Sequence, residues 1–390
     1  MSIVPAPDDT PLGILARLVS FDTESSLSNL DLVAYVEDYL VRHGVGFVRV
    51  PNAAGTKAAI FATIGPTDRG GVVLSGHTDV VPVVGQAWTG DPFRLRIADG
   101  RAYGRGAVDM KGFAAIALSM VDEMKAAALK TPIHIMLSYD EETTCGGVLD
   151  TIARMGVDLP RPTCVIVGEP TELQVADAHK SVVTFDTTVH GHECHSSKPL
   201  LGANAVFGAA ALVAELDRMA DVLQERGDPT GRFDPPYATV HVGTLSGGTA
   251  RNIVPKLASF HWEVRGVPGT DEQAVAAGLQ DFAERVVLPR MRRGGQPASV
   301  VTRLEVDVPR LEPDPGSVAE TLALRLAGRN GTITVPYGTE AGQFQRAGLP
   351  TVVCGPGSIN QAHQPDEWIA LDEIERGVAF MRRLIATCSS

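Results

Sequence analysis

The sequence predicts an α/β protein interrupted by a smaller inserted domain. Two observations carry that reading: helix and strand signals alternate through the first 180 residues, and the rhythm changes after Lys180 before resuming near residue 317. Residues 12–19 and 31–43 have helical spacing, and His43-Gly44 supplies a stop. Short apolar runs bounded by Gly, Pro or Asp follow at 58–64 and 71–75 and read as strands. An Ala-rich helix is predicted over 111–128, then a strand at 133–137, a helix near 148–155 and an apolar strand at 164–167. Such alternation implies a sheet with a substantial parallel component. Residues 181–189 then alternate like a half-buried strand, and 204–224 form a long amphipathic helix. Strands at 238–245 and 258–264, a helix over 271–287 and a strand at 300–306 complete a β-α-β-β-α-β order. That order is the ferredoxin-like split motif, which forms a small domain of its own. The Pro- and Gly-bearing segment 308–316 leads out of it, and a helix, a strand at 351–354 and a final helix follow. The expected division is therefore 1–180 with 311–390 as one domain and 181–310 as the insertion.

The bulk numbers narrow the partners. A 390-residue chain that is 44% hydrophobic and 21% charged is an ordinary globular protein of about two domains. Its net charge of −12, with no basic run, argues against nucleic acid and anionic membranes as partners. No stretch approaches the ~18 apolar residues of a membrane span. The opening MSIVPAPDDTP lacks the basic and apolar regions of a secretory signal. Five scattered cysteines, odd in number and without CxxC spacing, fit reduced thiols in a cytoplasm rather than a disulfide framework or a thiolate zinc site. The expectation is a cytoplasmic protein.

Ligands of open α/β sheets usually bind at strand ends. Here the predicted ends and adjoining loops carry acids and histidines. Residues 75–82 read SGHTDVVP, and His77 and Asp79, two apart in extended backbone, share a side. Residues 104–112, GRGAVDMKG, put Asp109 in a Gly-rich turn ahead of the Ala-rich helix. Residues 138–147, SYDEETTCGG, place Asp140, Glu141 and Glu142 where a buried strand ends, which is unfavourable unless a cation sits there. Glu169 lies in GEPT, and His363 in a polar segment downstream. Singly, each has a bland reading as a surface pair, an N-cap or a solvated charge. Together, two imidazoles and several carboxylates without thiolates suit a pair of zinc-like ions sharing a carboxylate. Such a pair holds a water, lowers its pKa and polarises a carbonyl. The spacing leaves open which carboxylate is shared.

The motifs SGHTDVVP, GRGAVDMKG, DEET and GEPT, in that order, resemble the di-zinc amidohydrolases that include aminoacylase, succinyl-diaminopimelate desuccinylase, glutamate carboxypeptidase and acetylornithine deacetylase. The resemblance covers nearly the whole chain. It implies a zinc-peptidase-like α/β catalytic domain with the ferredoxin-like insertion as a lid and dimerisation domain, hence a homodimer. It further implies two divalent ions, zinc or alternatively cobalt. His77 and Glu169 would hold one, Glu142 and His363 the other, and Asp109 both. Asp79 would hydrogen-bond the His77 ring and fix its tautomer. Glu141 would be the general base, free of metal, with extended backbone separating it from Glu142; Asp140 is left without a task. A cis peptide after Asp109 is implied as well. A non-catalytic sensor built on the same scaffold would be expected to have lost Glu141 or a ligand, and all six positions are present.

For the substrate, His195 in GHECHSS matches the family histidine that crosses a dimer interface to the oxyanion. Asn252 in GGTARNIVP resembles an inter-subunit asparagine. Arg265 resembles the arginine that grips the substrate carboxylate, for which a guanidinium fork is suited. Gly338 and Thr339 are expected to line the pocket, and Glu340 to offer a carboxylate to a substrate ammonium. Three stretches, DMKGF, GTEA at 338–341 and GPGSINQAHQPDE at 355–367, resemble the acetylornithine deacetylase branch. The implied substrate is a small N-acyl amino acid, N-acetylornithine first, in arginine biosynthesis. GGTARNIVP resembles the wider family, which keeps acetylcitrulline deacetylase, desuccinylase and dipeptidase activities as alternatives.

Overall fold

The computed structural model describes residues 2–3 and 9–390; the reading of the first residues as free of a secretory signal lies outside the described residues for 1 and 4–8. By internal packing the chain divides into two units, one of 1–178, 311–334 and 339–390, the other of 179–310 and 335–338. The residues 335–338, expected with the larger domain, thus join the smaller unit.

The strands, in chain order, are β1 (Ser2–Ile3), β2 (Gly46–Pro51), β3 (Ala58–Ile64), β4 (Val72–His77), β5 (Arg96–Ala98), β6 (Arg101–Tyr103), β7 (Ile133–Ser138), β8 (Cys164–Pro170), β9 (Ala176–His179), β10 (Val182–His190), β11 (Thr239–Gly247), β12 (Leu257–Arg265), β13 (Ser299–Val308), β14 (Ile333–Val335), β15 (Thr351–Gly355) and β16 (Trp368–Ala370). The first unit is built on an eight-stranded sheet of order β14-β9-β15-β8-β4-β7-β3-β2. At its centre β15, β8, β4 and β7 run parallel, while β3 and β2 close one side antiparallel. Every residue of β4, β7, β8 and β15 is buried, as expected of strands covered on both faces. The helices Pro11–Val19, Lys111–Ser119 and Leu371–Ser389 supply much of that cover. The Ala-rich helix stops at Ser119 and restarts at Val121, shorter than the single helix predicted. Phe113 packs so tightly on β8 that a Cβ at Gly168 would meet its ring at 2.2 Å. Any other residue there would push the helix, and with it the preceding loop, off the sheet. A small second sheet, β1-β5-β6-β16, completes this unit among the described residues.

The second unit has the sheet order β11-β12-β10-β13, antiparallel throughout. With helices Ala205–Arg226 and Glu272–Phe282 between the strands it is the ferredoxin-like arrangement. Alternate residues of β10 and β12 are buried, among them Phe185, Phe260, Trp262 and Val264. Trp262 stacks on Phe185 at 4.3 Å and donates its indole N–H to Thr187 Oγ1 at 2.9 Å. Asn204 caps the long helix by accepting from Phe207 N. The second helix widens into a π turn at Ala283–Val287 and continues as Leu288–Met291. Pro289 explains this, because its missing N–H leaves a carbonyl one turn back without its usual donor.

Candidate active site at the ends of the parallel strands

The four parallel strands all point their C-terminal ends at one place. His77 is the last residue of β4, Glu169 lies near the end of β8, and Glu141 and Glu142 follow β7. The chain leaving β15 reaches His363, whose backbone is left-handed with φ 62°. Asp109 comes from the loop ahead of the 111–119 helix, and its peptide to Met110 is cis. Glu141 and Glu142 do not lie in extended backbone. Asp140 turns left-handed (φ 57°), and the two glutamates open a short helix, Glu141–Thr144. Asp79 accepts both of that helix's leading amides, Glu141 N on Oδ1 at 3.2 Å and Glu142 N on Oδ2 at 3.3 Å. On helical backbone the two side chains diverge by about 100°, rather than pointing to opposite sides as extended backbone would have placed them. Asp140 has a partner after all, the Lys57 ammonium.

Asp109 stands between two imidazoles. Its Oδ1 is 3.1 Å from His77 Nε2 and its Oδ2 is 3.2 Å from His363 Nε2. Glu142 Oε2 is 3.0 Å from His363 Nε2, and Glu169 Oε1 is 3.6 Å from His77 Nε2. Glu141 Oε2 is further back, 3.9 Å from His77 Nε2, while its Oε1 is 3.3 Å from the Cys145 thiol, which donates to it. His77 Nδ1 is 2.9 Å from the Asp79 backbone carbonyl and 3.5 Å from its carboxylate. The tautomer that frees Nε2 is therefore fixed mainly by a carbonyl. Asp79 itself is held by Ser25 Oγ at 2.6 Å. His77 is fully buried, Glu169 3% exposed, and the His363 side chain 54% exposed, so the cluster opens to solvent on one side only.

The electrostatics are those of too many carboxylates in too small a space. Burial, then Asp109, pushes Glu142 up to about 7. Burial also raises Glu169 well above the ordinary carboxyl range, helped by Asp109 and Glu141. Glu141 is raised likewise by burial, with His77 pulling down and Glu142 and Asp109 pushing up. Against the opposing effect of burial, hydrogen bonds from His363 and His77 hold Asp109 well below the usual range. Hydrogen bonds to Asp109 and Glu142 lift His363 to about 10. Burial opposes the charged form of His77, yet Asp109 and Asp79 raise it well above its ordinary value.

The arrangement fits divalent cations. Glu169 Oε1 is buried and accepts no hydrogen bond, a costly state for a carboxylate without a cation. Donor atoms of His77, Asp109 and Glu142 lie within 4.8 Å of one another, as do those of His77, Glu141 and Glu169. Nitrogen and oxygen donors without sulfur suit zinc and its neighbours.

The other expected site residues are placed as follows. Thr339 and Glu340 are buried in the first unit. Both Glu340 oxygens are taken, by Ser75 Oγ at 2.5 Å and Ser138 Oγ at 2.7 Å, so its carboxylate braces β4 and β7 just behind the cluster. Thr339 Oγ1 accepts from Ala341 N. Gly338, His195, Asn252 and Arg265 belong to the second unit. There His195 and Asn252 are exposed and lie on adjoining backbone, with Ser196 N donating to Asn252 O. His195 Nδ1 is 2.8 Å from Ser197 Oγ, and Arg265 forks onto Glu263 at 2.8 and 3.3 Å. Sequence reasoning missed Ser25, Lys57, Ser75, Ser138 and Cys145. The first four meet partners far along the chain, with no local spacing to signal them, whereas Cys145 lies one helical turn from Glu141.

Fold and cluster together define a metallohydrolase-type α/β protein whose candidate centre is shared between two imidazoles and a ring of carboxylates. The chain belongs to peptidase family M20/M25/M40, whose model matches residues 73–387. Similar solved structures include aminopeptidase PepT from Bacillus cereus, 18% identical over 98% of this chain and 100% of that one, with TM-score 0.75. The M20 metallo-carboxypeptidase Sso-CP2 of Sulfolobus solfataricus is 18% identical over 97% and 99%, with TM-score 0.74. The Bacillus subtilis YXEP protein, described as a dinuclear metal-binding M20 peptidase, is 16% identical over 97% of each chain, with TM-score 0.64. No helix among the described residues is long and apolar enough to cross a membrane, and all five cysteines are free thiols.

Proposed function

We propose that this chain removes the acetyl group from N-acetylornithine, releasing ornithine and acetate, with two divalent ions, zinc first, held by its cluster. The observation that carries the hydrolytic reading is Asp109, whose two oxygens face two different imidazoles while Glu141 stands beside them without a hydrogen bond to either. His77, Glu169 and Asp109 would hold one ion, and Glu142, His363 and Asp109 the other. When bound, the ions polarise the amide carbonyl and make the attacking water more acidic. Glu141 takes the proton of that water and passes it to the amine nitrogen as the C–N bond breaks. Its raised pKa suits both halves of the task. His195, supplied by a second copy through the small unit, steadies the oxygen of the tetrahedral intermediate. Asn252 and Arg265 orient the substrate, and Gly338 and Thr339 shape the pocket. The assignment to N-acetylornithine rests on the resemblance of DMKGF, GTEA and GPGSINQAHQPDE to the deacetylase branch. The chain is expected to act in the cytoplasm as a homodimer.

The test is acetate or amine release from acetylornithine, acetylcitrulline, succinyl-diaminopimelate and a dipeptide, with zinc or cobalt added. Preference for acetylornithine supports the proposal, and preference for another member reassigns the substrate. Glu141→Gln should keep the bound metal while turnover falls on the order of 10²–10⁴-fold. Wild-type turnover in that variant would remove Glu141 from the mechanism.

A further inference from the structure

A buried ion pair links the two loops that carry Asp109 and His363. Glu367, 1% exposed, accepts Arg105 Nη1 at 2.7 Å and Gly106 N at 3.0 Å on Oε2. Its Oε1 accepts Val108 N at 2.9 Å and Asp109 N at 3.2 Å. Both oxygens are filled by donors of the loop that ends in Asp109, and Gly104 N donates to the Glu367 carbonyl at 2.9 Å. Arg105, also 1% exposed, donates through Nη2 to Gln86 Oε1 at 2.5 Å. Gln86 in turn donates Nε2 to the backbone carbonyl of His363 at 3.0 Å. The circuit closes through the chain itself, because Glu367 is four residues after His363.

The segment being held is one that would not keep its shape alone. His363 and Asp366 are both left-handed, with φ 62° and 56°, a conformation that non-glycine residues keep only when their surroundings insist on it. Asp366 is pinned by Thr89, whose N and Oγ1 donate to Oδ1 at 3.1 and 2.8 Å. His77 and Glu169 need no such device, since they sit in strands β4 and β8. Burying a paired charge is a poor route to stability, which leaves geometry as the gain.

We propose that Glu367, with Arg105 and Gln86, is a positioning unit that sets the distance from Asp109 to His363 and so tunes the affinity for one ion of the pair. It acts most on the ion of Glu142 and His363, because it holds both the Asp109 and the His363 loops, and less on that of His77 and Glu169, which it reaches through Asp109 alone. This rests on the two-ion reading given above. Glu367→Gln tests it, because either orientation of the amide turns an NH2 group against N–H donors on one side of the carboxylate's place.

Zinc titration of the metal-free protein against a competing chelator, with metal content measured in parallel, should resolve two steps in wild type. In Glu367→Gln one step should weaken about 10–100-fold, as for groups that orient metal ligands, while the other weakens by a clearly smaller factor. In a His363→Ala background the same substitution should leave only that smaller effect, on the remaining step. Gln86, only partly buried, offers a variant that spares the core: Gln86→Ala should weaken the same step by a smaller factor. If Glu367→Gln does not fold, Gln86→Ala decides alone. Two unchanged steps, equal weakening of both, or the full weakening of about 10–100-fold persisting in the His363→Ala background overturns the inference. A wild type that takes up two ions while these variants match it sinks only the positioning role. A wild type that takes up none sinks the two-ion reading with it.

Discussion

Strands β4 and β7 hold two buried imidazoles in opposite states. His77 closes β4 and His134 lies near the start of β7, four rungs apart on adjoining parallel strands, and neither is exposed. Burial alone pushes His134 down to about 4. It stacks on Phe61 at 4.9 Å and meets only the Thr63 hydroxyl, at 3.0 Å. His77 suffers the same burial, yet Asp109 and Asp79, with Glu169 and Glu141 nearby, carry it well above its ordinary value. The residue type and the desolvation are shared, so the carboxylates make the difference. The interior of the sheet is organised for stability, and its C-terminal edge collects charges that only a cation resolves.

If that division is right, substitutions at the edge should affect metal and turnover, and those inside should affect stability. The largest effect is expected of Asp109→Asn. A neutral amide removes the one carboxylate that faces both imidazoles, so metal content should fall toward zero. Hydrolysis should drop on the order of 10⁴-fold or more, since the acid–base step and the ions' contribution are lost together. Far-UV circular dichroism should remain that of the wild type. An Asp109→Asn variant that keeps two ions would break the comparison at its strongest point. His363→Ala should be milder, about 10²-fold in turnover with one ion per chain retained. Its side chain is 54% exposed, whereas His77 is sealed in. Loss of both ions there would mean that the two halves are not independent.

The interior half is read through pH. His134 titrates near 4 in the folded protein and at about 6.5 when unfolded. The unfolded chain therefore binds the proton first. The contribution is complete above pH 6.5 and is lost as pH falls toward 4, by about 3 kcal/mol. Urea unfolding of wild type and His134→Phe, each from pH 7 to 4.5, should show a steeper loss for wild type, with amide hydrolysis at pH 7 alike in both. Equal slopes would mean that the ring gains a proton without unfolding.

The same division explains what could be read from the sequence. Strands β3, β4, β7 and β8 were legible because their residues are buried runs bounded by Gly, Pro or charge. The small unit was legible from alternation, as in β10. The cluster was legible where a metal-type residue ends or follows such a run, as at His77, Glu141, Glu142 and Glu169, whereas Asp109 and His363 lie in loops and were legible through their motifs. What stayed hidden are contacts that closure of the sheet creates. Lys57 meets Asp140 and Ser75 meets Glu340 across long sequence separations. Glu340 looked available as a carboxylate in a turn, yet the fold turns it inward onto two serines. The short strands β5, β6, β14 and β16, each of three residues, carry too few side chains to show a period.

The smallest expected effect lies at Cys145, where edge and interior meet. Its thiol is buried, left-handed in backbone (φ 47°), and donates to Glu141 Oε1 at 3.3 Å. Burial and the Glu141 charge raise its pKa well above the ordinary value, so it keeps its proton and remains a donor while Glu141 changes state. A hydrogen bond to the ionised carboxylate favours that form and makes Glu141 a slightly weaker base. Cys145→Ala should therefore shift the acid limb of the turnover profile to higher pH and change kcat about threefold, the scale of one weak S–H bond. Cys145→Ser, which restores a donor, should return the limb toward wild type. If the alanine and serine variants share one profile, the thiol only fills space, and the boundary between edge and interior falls between Glu141 and Cys145.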